Sequence, residues 1–157
     1  MRAGDLAQPF PVVTPDTEAL TAVRAMAASR LPGLVVCDDD GHPYTVLPGS
    51  QVLRFLIPDY LQHDPALARA LDERASDELC GKLERVTVRS LLPSPRDVDE
   101  LPVVDRDATT LEVAAVMARM HSPIVAVVDE DDTGAVLGVI TASRLLRHLL
   151  PSTPEHR

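Results

Sequence analysis

The sequence has few aromatic residues: no tryptophan, two tyrosines and two phenylalanines among 157 residues. Proteins that bind single-stranded nucleic acid stack bases on aromatic rings and attract the phosphates with clustered cations. Here the net charge is −9, and the Lys and Arg residues are scattered along the chain. These absences argue against nucleic acid as a partner.

Long apolar runs are also absent. No run approaches the roughly 18 to 20 residues needed to cross a bilayer, and the opening MRAGDLAQPF lacks the apolar stretch of a signal peptide. The sequence therefore predicts a soluble, cytoplasmic protein without membrane insertion. With 45% apolar residues, the chain can form one ordinary domain or two small halves that share a core.

Catalytic and metal-binding motifs are missing as well. There is no P-loop, GxGxxG, GxSxG or HExxH pattern, and the five histidines lack metal-ligand spacing. DEDDTG at 129–134 begins like a calcium loop, but Ile140 stands where a glutamate is required, so we interpret it as a hairpin turn. Cys37 and Cys80 form neither a redox motif nor a disulfide framework. The sequence predicts no enzyme activity, no metal site and no required cofactor.

What the sequence does contain is an internal repeat. Residues 14–38 match residues 105–129 without a gap at an offset of 91 positions. After a two-residue insertion, VLRFLIP at 52–58 matches LLRHLLP at 145–151 at an offset of 93. The chain is therefore interpreted as a tandem duplication.

Both copies predict the same order of elements. Leu20, Val23 and Met26 recur at helical spacing, and each helix precedes a short apolar run, GLVVC or IVAVV, typical of a strand buried on both faces. An acidic turn, another strand and a second helix follow, and PVV at 11–13 and at 102–104 supplies the first strand. The predicted fold is α/β (α+β), with two β-α-β-β-α repeats packed on each other in pseudo-two-fold symmetry.

The domain boundaries follow from this repeat. We predict repeat 1 at 1–62, a helical connector at 63–87 that is broken by Pro65, repeat 2 at 88–151 and a tail at 152–157. The connector is longer than the duplication requires. Two interpretations stay open: a surface for dimerisation or docking of a partner, and a solvated spacer.

These features resemble a known family. Two β-α-β-β-α units, each with a helix that ends shortly before P…VVxD and, in the second copy, AVVDEDDTGAVLGVITASRLL, are similar to a tandem pair of cystathionine-β-synthase (CBS) domains. The resemblance covers essentially the whole chain, and the first copy departs from it at YTVLPGSQVL. It implies a regulatory sensing module, usually a homodimer, that acts on a separate enzyme or transporter. Its clefts would bind adenosyl compounds such as AMP, ADP, ATP or S-adenosylmethionine.

The resemblance also implies which residues line the clefts. Each cleft joins the first strand and pre-strand loop of one copy to the strand-to-helix turn of the other. The first cleft would take Leu6, Pro11, Val12, Leu31, Pro32, Gly33, Val139, Thr141, Ser143 and Arg144. The second and weaker cleft would take Pro102, Val103, Ser122, Pro123, Ile124, Val46, Pro48, Ser50 and Gln51.

The chain departs from the family at one functional position. The family uses a carboxylate on the first helical turn to accept both ribose hydroxyls, and Arg144 and Gln51 stand there instead. Arginine has five donors and no acceptor, so it cannot accept the two ribose hydroxyls as a carboxylate does, whereas it could bind a phosphate with two parallel hydrogen bonds. Either the first cleft binds a more anionic ligand, or both clefts have lost their nucleotide and the pair is a homodimeric scaffold.

Two smaller questions also stay open. Thr141 is predicted to cap the last helix, and it contacts a ligand only if the first cleft is functional. His121 either lies at the surface or touches a ligand at the cleft mouth. Pro48 removes a backbone donor and Gly49 loosens the turn, so the second cleft is expected to be the weaker one.

Overall fold

The computed structural model describes residues 1–92 and 101–151, so the predicted tail at 152–157 lies outside the described residues. The first half contains α1 (Ala3–Leu6), α2 (Ala19–Ser29), β1 (Gly33–Cys37), β2 (Pro43–Pro48) and α3 (Gly49–Leu56). A connecting stretch contains α4 (Asp59–His63), a 3₁₀ turn (Pro65–Ala70), α5 (Glu73–Cys80), a second 3₁₀ turn (Gly81–Arg85) and α6 (Val88–Leu91). The second half contains β3 (Val103–Asp105), α7 (Thr110–Met120), β4 (Ile124–Val128), β5 (Val136–Thr141) and α8 (Ala142–Leu149).

The duplication is present in the backbone. Each element from α2 to α3 has a counterpart of equal length 91 or 93 positions later, from α7 to α8. Arg30 and His121 end α2 and α7 in the left-handed conformation, with φ of 55° and 51°. Gly41 and Gly134 occupy the same region in the two hairpin turns, with φ of 84° and 74°. The predicted tandem repeat of β-α-β-β-α type is confirmed.

The first strand differs between the halves. β3 pairs in parallel with β4, which pairs antiparallel with β5. In the first half, β1 and β2 form an antiparallel pair to which Val13 adds a single parallel bridge at Val36. The strand predicted at 11–13 is thus reduced to one residue. Pro11 has no N–H to donate to a ladder, and the chain just before it pairs with β5 instead.

The two halves exchange their leading helices. The Ala3 N–H of α1 donates to the Ala108 carbonyl of the second half at 2.8 Å, and Leu6 is fully buried in that half's core. In return, the Val88 N–H of α6 donates to the Thr17 carbonyl of the first half at 2.9 Å. Each hydrophobic core is therefore completed by a helix that precedes the other repeat along the chain.

The predicted domain boundaries stay a prediction. They place the repeats at 1–62 and 88–151 and the connector at 63–87. The break at Pro65 is present, since α4 ends at His63 and a 3₁₀ turn begins at Pro65. Every residue from 62 to 74 is exposed. Between the buried Leu61 of α4 and Leu83, the connecting stretch therefore lies at the surface, and Leu83 joins the core of the first half.

Three buried apolar clusters lie within residues 1–92 and 101–151. One fills each half, around Leu34 and Leu47 in the first and around Val125 and Ile140 in the second. The third joins the two halves and contains Leu31, Val35, Cys37, Ile124, Ala126 and Val139. β1 and β4 are buried at every position, because one face of each strand supports its own half and the other faces this shared cluster.

Within residues 1–92 and 101–151, no helix combines the length and the apolar character that a membrane span requires.

Candidate ligand-binding groove

A groove of about 650 Å³ opens where the two halves meet. Its walls come from the end of α2, the loop that follows, one side of α3, and the start of α8. The residues that line it are Val23, Met26, Ala27, Arg30, Leu31, Pro32, Gly49, Val52, Leu53, Leu56, Pro123, Thr141, Ala142 and Ser143. Cavities of this size and apolar lining accommodate ligands the size of a nucleotide.

The groove forms because each strand-to-helix turn is fixed to the pre-strand loop of its own half. The Gly49 N–H donates to the Pro32 carbonyl at 2.9 Å, and the Ala142 N–H donates to the Pro123 carbonyl at 3.0 Å. These equivalent bonds place the starts of α3 and α8 at the same opening. Leu31, Pro32, Thr141 and Ser143 of the first predicted cleft therefore share one groove with Pro123 of the second.

Thr141 caps α8. Its Oγ1 accepts the Arg144 N–H at 3.3 Å and lies 3.4 Å from the Ser143 Oγ. Thr141 is 7% exposed and lines the groove, so the capping hydroxyl borders the cavity. The predicted cap is confirmed, and the predicted ligand contact stays a prediction.

Arg144 has an intramolecular partner. Its Nε donates to the Leu6 carbonyl at 2.6 Å, which joins α8 to the exchanged helix α1. The side chain is half-buried and does not line the groove. A phosphate contact, which stays a prediction, would therefore fall to the Nη groups of Arg144.

Other residues of the first predicted cleft lie away from the groove. Leu6 and Val139 are fully buried, and the backbone of Val139 exchanges hydrogen bonds of 2.9 and 3.0 Å with Gln8. Pro11 is half-buried, whereas Val12 is 76% exposed. Gly33 lies so close to β2 that a Cβ there would be 3.0 Å from the Leu47 carbonyl oxygen.

Most residues of the second predicted cleft also lie away from the groove. Ile124 is fully buried in the shared cluster, against which Val46 and Val103 pack. Pro102 accepts a hydrogen bond from Ala126, and the Ser122 Oγ donates to the Ile124 carbonyl at 2.6 Å. Pro48 and Gln51 are half-buried, and Ser50 lines a different hollow. Of this set only Pro123 lines the groove, and a second ligand site stays a prediction.

Our sequence reasoning missed nine of the fourteen groove residues, and Arg30 is the charged one among them. It ends α2 in the left-handed conformation, its side chain is exposed, and it borders the cavity. The duplication offered the signal, because Arg30 is the counterpart of His121, which we had considered for the cleft mouth. An arginine here supplies the groove with a cation that is suited to phosphate or carboxylate groups.

Three side chains that could bind a metal ion lie together in the turn between β1 and β2, and their hydrogen bonds stabilise that turn. Asp38, Asp40 and His42 offer ligand atoms within 4.8 Å of one another. The Asp38 Oδ1 accepts the N–H groups of Asp40 and His42, which is a turn-stabilising pattern. The His42 Nε2 lies 2.6 Å from the Thr133 carbonyl, so His42 also joins the hairpin turns of the two halves.

The two thiols differ in accessibility, and this difference is testable. Burial raises the pKa of the Cys37 thiol, and the nearby Asp38 carboxylate raises it further, whereas Cys80 is exposed. We expect one thiol per chain to react quickly with Ellman's reagent at pH 8 in the native protein, and two in urea. Cys80→Ser should abolish the fast reaction. Two fast thiols in the native protein would contradict the burial of Cys37.

The comparisons with known proteins agree with this architecture. A duplicated α/β unit whose halves meet at a shared groove is the architecture of a paired-domain module. The family model of the CBS domain matches residues 3–49 and 95–151. The chain therefore belongs to the CBS-domain family and is a tandem CBS pair, as the sequence predicted. No match was found among curated proteins.

Solved structures show the same fold. A CBS domain-containing protein of unknown function from Kribbella flavida DSM 17836 is 52% identical, with a TM-score of 0.78 over 96% of this chain and 99% of that one. CBSX2 from Arabidopsis thaliana is 22% identical, with a TM-score of 0.67 over 94% and 93% of the two chains. A complex of CBSX2 with AMP, also 22% identical, gives a TM-score of 0.62 over 94% and 95%.

Proposed function

We propose that this CBS pair is a regulatory module that binds an adenine nucleotide or a related anionic metabolite in the groove and thereby changes how a separate enzyme or transporter is engaged. The observation that carries the proposal is that both halves line one groove. A ligand that contacts both halves can favour one of their relative arrangements, and it shifts the equilibrium by its difference in affinity for the two.

The chemistry of the groove suits such a ligand. Met26, Leu31 and Pro123 provide apolar surface for a purine, and the hydroxyls of Thr141 and Ser143 provide hydrogen-bonding groups for ribose or phosphate oxygens. Arg30 provides the positive charge. That a CBSX2 structure of the same fold contains AMP supports this choice of ligand.

The alternative is a ligand-free homodimeric scaffold. Its support is that Arg144 and Gln51 replace the ribose-binding carboxylate, and that the Arg144 Nε already bonds to Leu6. A homodimer belongs to both proposals, as does the absence of catalysis, for which the sequence offers no nucleophile with a base. The two free thiols, Cys37 and Cys80, suit a reducing compartment and support a cytoplasmic setting.

Calorimetric titration with AMP, ADP, ATP and S-adenosylmethionine tests the proposal. We expect heat of binding and a rise in melting temperature with at least one of these ligands, because a ligand that binds only the folded state stabilises it. No heat and no thermal shift at millimolar ligand would favour the scaffold. Isolation of the protein from its native cell with bound proteins would identify the partner.

Substitution of single arginines tests which of them binds the phosphate groups of a nucleotide. Arg30→Glu should weaken ATP binding by about 10- to 100-fold, the loss expected for a charged hydrogen bond, and weaken adenosine binding much less. Arg24→Glu is the matched control, because Arg24 is exposed on the same helix and does not line the groove. Arg144→Asp tests the other candidate. An equal loss for adenosine and for ATP would show that the substituted arginine does not bind the phosphate.

A further inference from the structure

A second cavity lies beside the ligand groove, between α3 and the connecting stretch. This cavity, which we call the connector hollow, has a volume of about 520 Å³. α3 forms one side of it, and α4, the 3₁₀ turn at Pro65–Ala70 and α5 form the other. The wall from α4 onward lies between the two copies of the repeat, 14–58 and 105–151. The connector hollow is therefore a feature of the connecting stretch and not of the repeated unit.

The connecting stretch is loosely packed at this hollow. A surface helix normally buries an apolar stripe, but α5 contains no fully buried residue. Ala75 and Leu79 of α5 line the hollow and are only half-buried. A further hollow of about 390 Å³ adjoins the first and shares Ala75 and Leu79 with it, as well as Leu61 and Leu71. The apolar side of α5 is therefore accessible to a molecule that enters the connector hollow.

The lining of the connector hollow is apolar apart from Ser50, Arg54, Gln62 and Ser76. The Gln62 amide is already engaged, since its Nε2 donates to the carbonyls of Arg54 and Ile57 at 3.2 and 2.7 Å. The Arg54 side chain is exposed, and within residues 1–92 and 101–151 its guanidinium has no hydrogen-bond or ion-pair partner. One available cation at an apolar cavity is complementary to an anion that carries a hydrocarbon chain.

The charges nearby favour an anion of single charge. Asp72, Glu73 and Asp77 of α5 do not line either hollow, and Glu78 lines only the adjoining one. All four carboxylates are exposed, so salt weakens their repulsion of an anion bound at Arg54. The repulsion that remains is smaller for a carboxylate than for a multiply charged phosphate.

We propose that the connector hollow binds an amphipathic monocarboxylate, with its hydrocarbon chain between α3 and α5 and its carboxylate on Arg54. The volume of the hollow lies in the range of small-molecule sites. The site is separate from the nucleotide groove, although Leu53 lines both. The proposal goes beyond the function proposed above and does not require a bound nucleotide.

Calorimetric titration of the full-length protein with octanoate, decanoate and laurate, each below the concentration at which it forms micelles, tests the proposal. We expect saturable binding of one molecule per chain, with an affinity that rises roughly three- to fourfold for each added methylene. No saturable heat, or an affinity independent of chain length, would overturn the proposal. Nucleotide binding is titrated separately, so the two proposals fail independently.

A substitution that fills the hollow locates the hydrocarbon chain. Ala75→Phe should abolish laurate binding, because residue 75 lines both hollows. The matched control is Ala70→Phe, since Ala70 is exposed and lines neither hollow, and it should bind laurate as the wild type does. Circular dichroism and an unchanged melting temperature would verify that each variant is folded. Undiminished laurate binding by folded Ala75→Phe would overturn the site.

The carboxylate is located by comparing laurate with the uncharged dodecanol. Arg54→Gln should weaken laurate binding about 3- to 10-fold, the loss expected for a partly exposed charged hydrogen bond, and leave dodecanol binding unchanged. Arg69→Gln is the control, since Arg69 is exposed in the same stretch and lines neither hollow. An equal loss for both ligands would contradict the role of Arg54.

Two further outcomes would assign the cavities differently. If Arg30→Glu weakened laurate binding and Arg54→Gln did not, the monocarboxylate would bind in the groove and the proposal would be overturned. Laurate binding that weakens as the protein concentration rises would show that a second copy of the chain occupies the hollow, which would also overturn it.

Discussion

Replacement of Leu6 by alanine is expected to lower the free energy of unfolding by about 2 to 5 kcal/mol, the usual range for a leucine removed from a closed core. Leu6 lies near the start of the chain but is fully buried in the core of the second half, with Val113 and Ile140. The lost side chain would leave a cavity in that core. Urea unfolding followed by circular dichroism measures the effect, since the chain has no tryptophan for fluorescence.

Two comparisons make this prediction specific. Leu111→Ala removes an equally large side chain that is 72% exposed on α7, and its expected effect is within about 0.5 kcal/mol of zero. Leu91→Ala, in the helix exchanged in the other direction, should cost as much as Leu6→Ala, because Leu91 is 1% exposed in the first core. A loss below about 1 kcal/mol for Leu6→Ala would show that α1 is not part of the second core.

Replacement of Gly138 by alanine is expected to cost about 1 to 3 kcal/mol through overpacking. A Cβ at Gly138 would lie 2.8 Å from the Gln8 carbonyl oxygen and 2.9 Å from the Ala7 Cβ. The backbone that would have to move is the segment that carries α1 to the second half. We therefore expect faster amide hydrogen exchange at Gln8 and Val139, whose mutual hydrogen bonds fix that segment to β5.

Gly81 provides the matched control for this substitution. A Cβ at Gly81 would meet nothing within 4 Å, and its backbone, with φ of −59° and ψ of −22°, is one that alanine adopts readily. Gly81→Ala should leave stability unchanged or raise it by about 0.4 to 1 kcal/mol. If both variants behaved alike, the close approach of residues 7 and 8 to β5 would be refuted.

Sequence patterns predicted the repeat, the buried strands and a helix cap. The offset of 91 positions predicted two equivalent halves, and the runs GLVVC and IVAVV predicted strands buried on both faces, as β1 and β4 are. Thr141 was predicted to cap a helix, and it does so. The strands and the cap depend on residues that are near one another in the chain, and the repeat is visible when the sequence is compared with itself.

The site was predictable only in part. The sequence placed Leu31, Pro32, Thr141 and Ser143 in one cleft, because their positions in the family's pattern are recognisable, and these four residues line the groove. It missed Arg30, whose approach to the groove depends on the left-handed end of α2 and on the packing of one half against the other. It also gave no indication that Arg144 bonds to Leu6, 138 positions away in the chain.

The sequence by itself determined the duplication, the order of elements in each half and the family. Periodicity is a property of neighbouring residues, and a repeat is visible when the chain is compared with itself. Only the tertiary structure decided that α1 completes the core of the second half and α6 that of the first, and that both strand-to-helix turns open into one groove. These arrangements depend on which surfaces meet when the chain folds. Local sequence patterns do not show which residues far apart in the chain come into contact.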